Sequence, residues 1–161
     1  MEASPTPPSE SDNAGVPFLP PHVFLGAVVL SLIFQLLLPF FIGGGIGGFL
    51  FGFVLGAAGV ALIVRCFKIF NAHGTHIRPD QPTNRLIEEG PYRYSRNPIY
   101  IGLLLVYIGM ALLFGIGWFF LFLPALLMYL RFVVIAREEA YLLRRFESDY
   151  IAYCHRVGRW I

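Results

Sequence analysis

Residues 99–136 read IYIGLLLVYIGMALLFGIGWFFLFLPALLMYLRFVVIA, with Arg131 as the only charge. As one straight helix this stretch would be roughly 55 Å long, against about 30 Å of bilayer hydrocarbon. It has to fold back, and Gly115-Ile116-Gly117 is where the chain can reverse. The run is therefore expected as a helical hairpin, with a third membrane helix over Pro98–Phe114 and a fourth over residues 118–136. Trp118 at the tip suits the aromatic belt of a membrane interface, and Pro124 suits a kink in the fourth helix.

Two more apolar runs precede it. Residues 23–42 are interrupted only by Ser31 and Gln35, and the next run extends from Gly43-Gly44-Gly45 to about residue 64. A lone Gln in such a span is expected to make a helix-packing hydrogen bond. Gly44, Gly48, Gly52 and Gly56 recur at four-residue steps, a flat stripe that lets another backbone approach closely, so residues 23–64 are expected as a tight hairpin of helices one and two. With 161 residues, 57% of them hydrophobic and 14% charged, the composition excludes an ordinary soluble domain and gives no sign of nucleic-acid binding. The expected fold is an all-α integral membrane protein of about four transmembrane helices in two hairpins.

Outside the spans the chain changes character. Residues 1–22 hold no Lys or Arg, three acids (Glu2, Glu10, Asp12) and many Pro and Ser, which suits a disordered tail without a cleavable signal. Residues 65–97 form a polar loop, and 137–161 an amphipathic helix with Tyr141, Phe146, Tyr150, Tyr153 and Val157 on one face. Arg144, Arg145, Glu147 and Asp149 suit its solvated face, and Arg156, Arg159 and Trp160 suit headgroup anchors. All 12 Lys and Arg residues lie between 65 and 96 or from Arg131 onward. By the positive-inside rule the 65–97 loop and both termini are cytoplasmic. His73 and His76 lack a third ligand pattern, and Cys66 and Cys154 sit in no metal or haem motif, so no metal is expected.

The segment leading into the third helix is GPYRYSRNPIYIG, residues 90–102. Gly90-Pro91 marks a turn. Asn97-Pro98 marks a helix start, with Asn97 expected to cap the first turn. Free N–H groups at that helix mouth, with Arg93 and Arg96 beside them, favour an anion. The fold-back brings Glu138-Glu139, at the exit of the fourth helix, to the same face. Two readings are open: a salt bridge between helix ends, or a site for a zwitterionic, cationic molecule such as S-adenosylmethionine.

The 90–102 segment, followed by Glu138-Glu139-x-Tyr141-Leu142 and Phe146-x3-Tyr150-x2-Tyr153-x3-Val157-x-Arg159-Trp160, resembles the isoprenylcysteine carboxyl methyltransferase and phospholipid methyltransferase superfamily. Gly74-Thr75-x2-Arg78-Pro79 resembles its bacterial members. The resemblance covers roughly residues 73–161. It implies a multi-pass enzyme, in the inner or plasma membrane of a bacterium, that uses S-adenosylmethionine and takes a lipid-like or prenylated acceptor from the bilayer. Carried across by motif, Arg96, Pro98, Tyr100, Gly102, Glu138 and Glu139 would form the cofactor site, with Arg96 and Glu139 as catalytic residues. Arg93, Tyr94, Tyr141 and Tyr153 would be substrate contacts. Gly102 would allow close approach of the cofactor and Tyr100 would pack on it. The first expectation for the acceptor is the carboxylate of an isoprenylcysteine-type molecule. The alternatives are a phospholipid amine, an NADPH-dependent lipid or sterol reductase, and a non-enzymatic scaffold. Two departures stand out: Asn97 where the prenylcysteine enzymes tend to have His, and Glu147 where the family usually has Gly after Phe146.

Overall fold

The computed structural model describes residues 14–74 and 85–161. Their order is α1 (Pro20–Leu37), α2 (Gly45–Ala72), a short 3-10 turn (Gly90–Arg93), α3 (Pro98–Phe114), α4 (Trp118–Tyr129), a π-helical turn (Leu130–Ile135) and α5 (Ala136–Arg156). No strand occurs among the described residues. Three helical stretches, beginning at Pro20, Gly45 and Trp118, are long and apolar enough to cross a membrane, and α3 is a shorter apolar helix beside them. The protein is an all-α, multi-pass membrane protein. Large apolar side chains such as Leu36, Ile46 and Phe51 point outward, as lipid-facing surface requires.

The hairpin of residues 98–136 forms where the sequence places it, and the other turn pairs with it. Gly115 adopts φ 64, the left-handed conformation that suits glycine at a helix C-terminus. Ile42 donates its N–H to the Gly115 carbonyl at 2.8 Å and Gly117 donates to that of Phe40 at 2.9 Å, so the α1–α2 and α3–α4 turns are joined by one antiparallel bridge. This is why α1 ends at Leu37 rather than near residue 42. Gln35 makes no interhelical bond and instead accepts the Phe40 N–H at 3.0 Å. Trp118 donates to the Leu38 carbonyl at 2.8 Å and packs among Phe34, Phe40 and Phe122, an aromatic cluster at this end of the bundle.

The glycine stripe does not join α1 to α2. It faces α3. A Cβ on Gly52 would stand 2.6 Å from the Leu113 nitrogen, and one on Gly59 would stand 2.6 Å from the Gly102 carbonyl oxygen. In the other direction, a Cβ on Gly109 would stand 2.7 Å from the Gly56 nitrogen. Helix α1 packs on α4 instead, and reaches α3 through Ser31, whose Oγ lies 3.0 Å from the Tyr107 hydroxyl. Four-residue spacing shows that a close partner exists but not which helix it is.

Helix α2 also continues past the apolar run. Its 28 residues extend about 42 Å and carry Arg65 and Lys68 out of the hydrocarbon, so the irregular segment begins at His73 and not at residue 65. At the other end of the chain, α4 passes through Pro124 as helix, and the irregularity falls later, at Leu130–Ile135. A π turn takes in an extra residue and so rotates the downstream helix by about 100° relative to an uninterrupted α-helix. Helix α5, charged and amphipathic, lies beyond the span. It breaks at Glu147, whose φ of 42 and ψ of −113 are non-helical, and ends at Arg156. Residues 157–161 are not helical. Before α1, residues 14–19 are held against the bundle: Arg137 donates to the Gly15 carbonyl and the Tyr129 hydroxyl to that of Phe18 at 3.2 Å. Residues 1–13 of the expected tail lie outside the described residues.

Candidate functional site

The segment 95–98 folds as a tight turn that places Arg96 between α3 and α5. The Ser95 Oγ accepts the Asn97 N–H at 3.0 Å, a local side-chain turn that ends the extended approach to Pro98. Asn97 does not cap α3. Its backbone carbonyl accepts the N–H groups of Tyr100 and Ile101, while its side-chain Nδ2 donates to the Arg159 carbonyl at 2.9 Å. The helix mouth is thus tied to the C-terminal tail, which sequence reasoning did not foresee. The tail also accepts the Arg96 N–H at the Gly158 carbonyl, 3.0 Å away.

Arg96 and Glu139 meet, at 3.1 Å between Nη1 and Oε1. Arg96 also donates to the Tyr150 hydroxyl at 3.4 Å and the Cys154 Sγ at 2.8 Å. Its Nε is buried without a hydrogen-bond partner among the described residues. Glu139 is held on its other side by Arg159, through Nε at 2.9 Å and Nη2 at 2.5 Å. Arg159 is therefore an ion-pair partner of Glu139. Arg156 pairs likewise with Glu88 at 2.6 Å, and Trp160 is partly buried against the central apolar cluster. The break at Glu147 lets the second arm of α5 turn back, so that Tyr150 and Cys154 reach Arg96.

Glu138 sits one residue away in a different setting. The Tyr100 hydroxyl, from the first turn of α3, donates to its Oε1 at 2.5 Å. Burial pushes the Glu138 carboxyl up to about 7; the bond from Tyr100 opposes that rise and the neighbouring Glu139 charge adds to it. The two glutamates thus differ: Glu139 is neutralised by two guanidinium groups, while Glu138 has a neutral phenol.

Two cavities flank the 95–98 wall. One of about 390 Å³ is lined by Arg96, Glu139, Ala140, Tyr150 and Cys154 on the α5 side. The other, about 870 Å³, is a groove between α2 and α3 lined by Leu62, Arg65, Arg93, Pro98, Ile101 and Trp160. Both fall in the size range of small-molecule sites. Arg65 and Arg93 form no ion pair with any described residue; with Glu89 they make the polar rim of the groove, which is apolar within.

Of the residues named from sequence, Arg96, Tyr100, Glu138 and Glu139 come together, and Pro98 lines the groove side of the same wall. Gly102 packs against α2: a Cβ there would meet Ile63 Cγ1 at 2.6 Å and the Gly59 carbonyl at 2.9 Å. Its smallness serves the α2–α3 contact. Arg93 faces the groove. Tyr94, 76% exposed, lines the same groove beside Arg93. Tyr141 is buried, and Tyr153 donates to the Tyr92 carbonyl at 2.7 Å, a bond that ties α5 to the 3-10 turn. Tyr92, Tyr150 and Arg159 were missed as site residues; for Arg159 and Tyr150 the one available signal was their place in the recurring tail motif. His73 bonds the Ile69 carbonyl at 2.8 Å and Glu89 at 2.7 Å, and no group of metal-binding side chains forms among the described residues. His76 and the rest of the Thr75–Pro79 motif lie outside them.

No curated protein and no solved structure matches the chain. A family model does: that of the phospholipid methyltransferases, over residues 48–149, a stretch that holds nearly all of α2, the helix mouth, the π turn and both glutamates. This match covers more than half of the sequence, takes in Arg96 and Glu138-Glu139 together, and agrees with the apolar helices. The chain belongs to the phospholipid methyltransferase family, membrane methyltransferases that act on lipid-like substrates and generally use S-adenosylmethionine.

Proposed function

We propose that this protein transfers a methyl group from S-adenosylmethionine to a lipid acceptor drawn from the bilayer, on the cytoplasmic face. The observation that carries the reading is the Arg96–Glu139 pair, which joins the motif before α3 to the motif opening α5 in one partly buried site. The residues suit the cofactor. Arg96 has a buried Nε–H with no acceptor among the described residues, as a site for a carboxylate would leave it. Glu138 and Glu139 offer acceptors for an amino group or ribose hydroxyls, and Tyr100 and Pro98 line the first turn of α3. Bound there, S-adenosylmethionine supplies an electrophilic methyl group.

The chain's own work is then positioning and proton handling. The apolar walls of the larger groove, Leu62, Ile101 and Trp160, suit an acyl or prenyl chain, and Arg65 and Arg93, with Glu89 beside them, suit a polar headgroup that carries both charges. An amine acceptor must lose a proton before its nitrogen is a nucleophile. Glu138, held near neutrality by burial, is the group suited to take it, at the carboxylate that Tyr100 orients. On this reading the acceptor is a phospholipid amine. The second reading, the isoprenylcysteine carboxylate, is favoured by the sequence resemblance, and the same two arginines would hold that carboxylate.

Methyl-labelled S-adenosylmethionine, the purified protein and vesicles carrying either an aminophospholipid or a prenylcysteine analogue test this. Label that enters the lipid and survives alkali is N-methylation; label released by alkali is a methyl ester. Transfer to neither lipid class would reject the proposal.

A further inference from the structure

We propose that Arg159, from the C-terminal tail, is a positioning residue that locks the two halves of the site in register and keeps Arg96 available to an anion. The chain leaves α5 at Val157, which is extended and buried, so the next residues run back across the helix mouth. Arg159 then binds at both of its ends. Its carbonyl accepts the Asn97 Nδ2 at 2.9 Å and the Ser95 hydroxyl at 3.5 Å, on the segment before α3. Its guanidinium makes a two-pronged pair with Glu139, on α5. The Arg159 side chain is 38% exposed, and its fork is held on Glu139 at the edge of the site.

The consequence for Arg96 comes from Glu139's two oxygens. Oε2 is bound by Arg159, and Oε1 is shared between Arg159 and Arg96. Glu139 is fixed in orientation by the fork, and Arg96 makes a single contact with it while its Nε stays free. Without Arg159 the carboxylate is free to rotate and close a two-pronged pair with Arg96, which would use up that donor. The three charges sum to one positive, and removing Arg159 brings the sum to zero. Lysine keeps the charge but not the planar fork, so it does not replace Arg159.

The assignment rests on the cofactor reading for one arm of its test and is independent of it for the other. In detergent or nanodiscs, Arg159→Ala and Arg159→Lys are compared with the unaltered protein for S-adenosylhomocysteine binding by titration calorimetry. Both variants should weaken binding by about tenfold or more, the loss of a charged hydrogen-bonded pair. Guanidinium ion should restore part of the affinity to Arg159→Ala, which a purely structural defect would not allow. Without any ligand, amide exchange of the peptide covering 95–98 should accelerate in Arg159→Ala, since Arg96 donates to the neighbouring Gly158 carbonyl. Affinity within twofold of the unaltered protein in Arg159→Lys, or unchanged exchange in Arg159→Ala, would overturn the proposal. If Arg159→Ala does not fold, Arg159→Lys carries the binding arm. Failure of the unaltered protein to bind S-adenosylhomocysteine would count against the cofactor reading, and the exchange arm would still decide the lock.

Discussion

Replacing Glu147 with glycine should stabilise the protein. Glu147 has φ 42 and ψ −113, close to the first central position of a turn that glycine dominates, and it lies inside a helix whose other residues are regular. A side chain held there costs about 1–3 kcal/mol. Glycine removes that strain but gives the unfolded chain more freedom, which offsets about 0.4–1 kcal/mol. The Glu147 side chain is exposed, so no packing is lost. The net gain should be about 1 kcal/mol, or roughly 2–4 °C in Tm for a chain of this size. Two companions make the measurement interpretable. Glu147→Ala retains the Cβ and should change little, whereas Asp149→Gly, two residues on in regular helix, should cost about 1 kcal/mol. Thermal unfolding in detergent, followed by tryptophan fluorescence, reads all three. If Glu147→Gly destabilises as much as Asp149→Gly does, the break in α5 is not there and the placement of Tyr150 and Cys154 beside Arg96 loses its explanation. The glycine that the superfamily usually carries at this position is the natural form of the same experiment.

Three further outcomes are expected. Methyl transfer should fall as pH drops through about 7, because protonated Glu138 cannot accept a proton, and Glu138→Gln should abolish amine methylation at every pH while leaving S-adenosylhomocysteine binding measurable. The same carboxyl has a folded pKa above its ordinary value, so its contribution to stability is complete below about 4.5 and lost as pH rises through about 7; Glu138→Gln should flatten that part of the Tm–pH curve. Gly109→Ala should cost about 2–3 kcal/mol, since its Cβ would meet backbone of Gly52 and Gly56 that cannot move aside, whereas Gly48→Ala, 3.8 Å from its nearest neighbour, should be tolerated.

The hairpin of α3 and α4 was legible because a charge-poor run too long for one crossing has few ways to fold, and glycine marks the reversal. The meeting of Arg96 with Glu139, and of Tyr100 with Glu138, was legible for the same reason: a hairpin returns its two ends to one face. The partner of the glycine stripe was not, since Gly52 and Gly59 specify a close approach without saying whose backbone approaches. The end of α2 was misplaced because hydropathy reports where lipid ends, and a helix can continue beyond it. Asn97 was read as a cap from its position before Pro98, but its side chain had a distant partner in the Arg159 carbonyl, sixty-two residues later. Such partners are set by tertiary structure, as is the pairing of Arg159 with Glu139.

The π turn at Leu130–Ile135 sets the angular phase between a helix in lipid and a helix at the surface. Lipid-facing side chains between Trp118 and Ala136, such as Leu121 and Met128, are free to drift, whereas Phe119, Leu126, Leu130, Val134 and Ile135 are held by the core and Trp118 and Tyr129 by their hydrogen bonds. The number of residues is fixed throughout. One residue more or fewer would swing Glu138 and Glu139 by about 100° around the axis, away from Tyr100 and Arg96. This stretch behaves as a ruler: its outward letters can change while its length cannot.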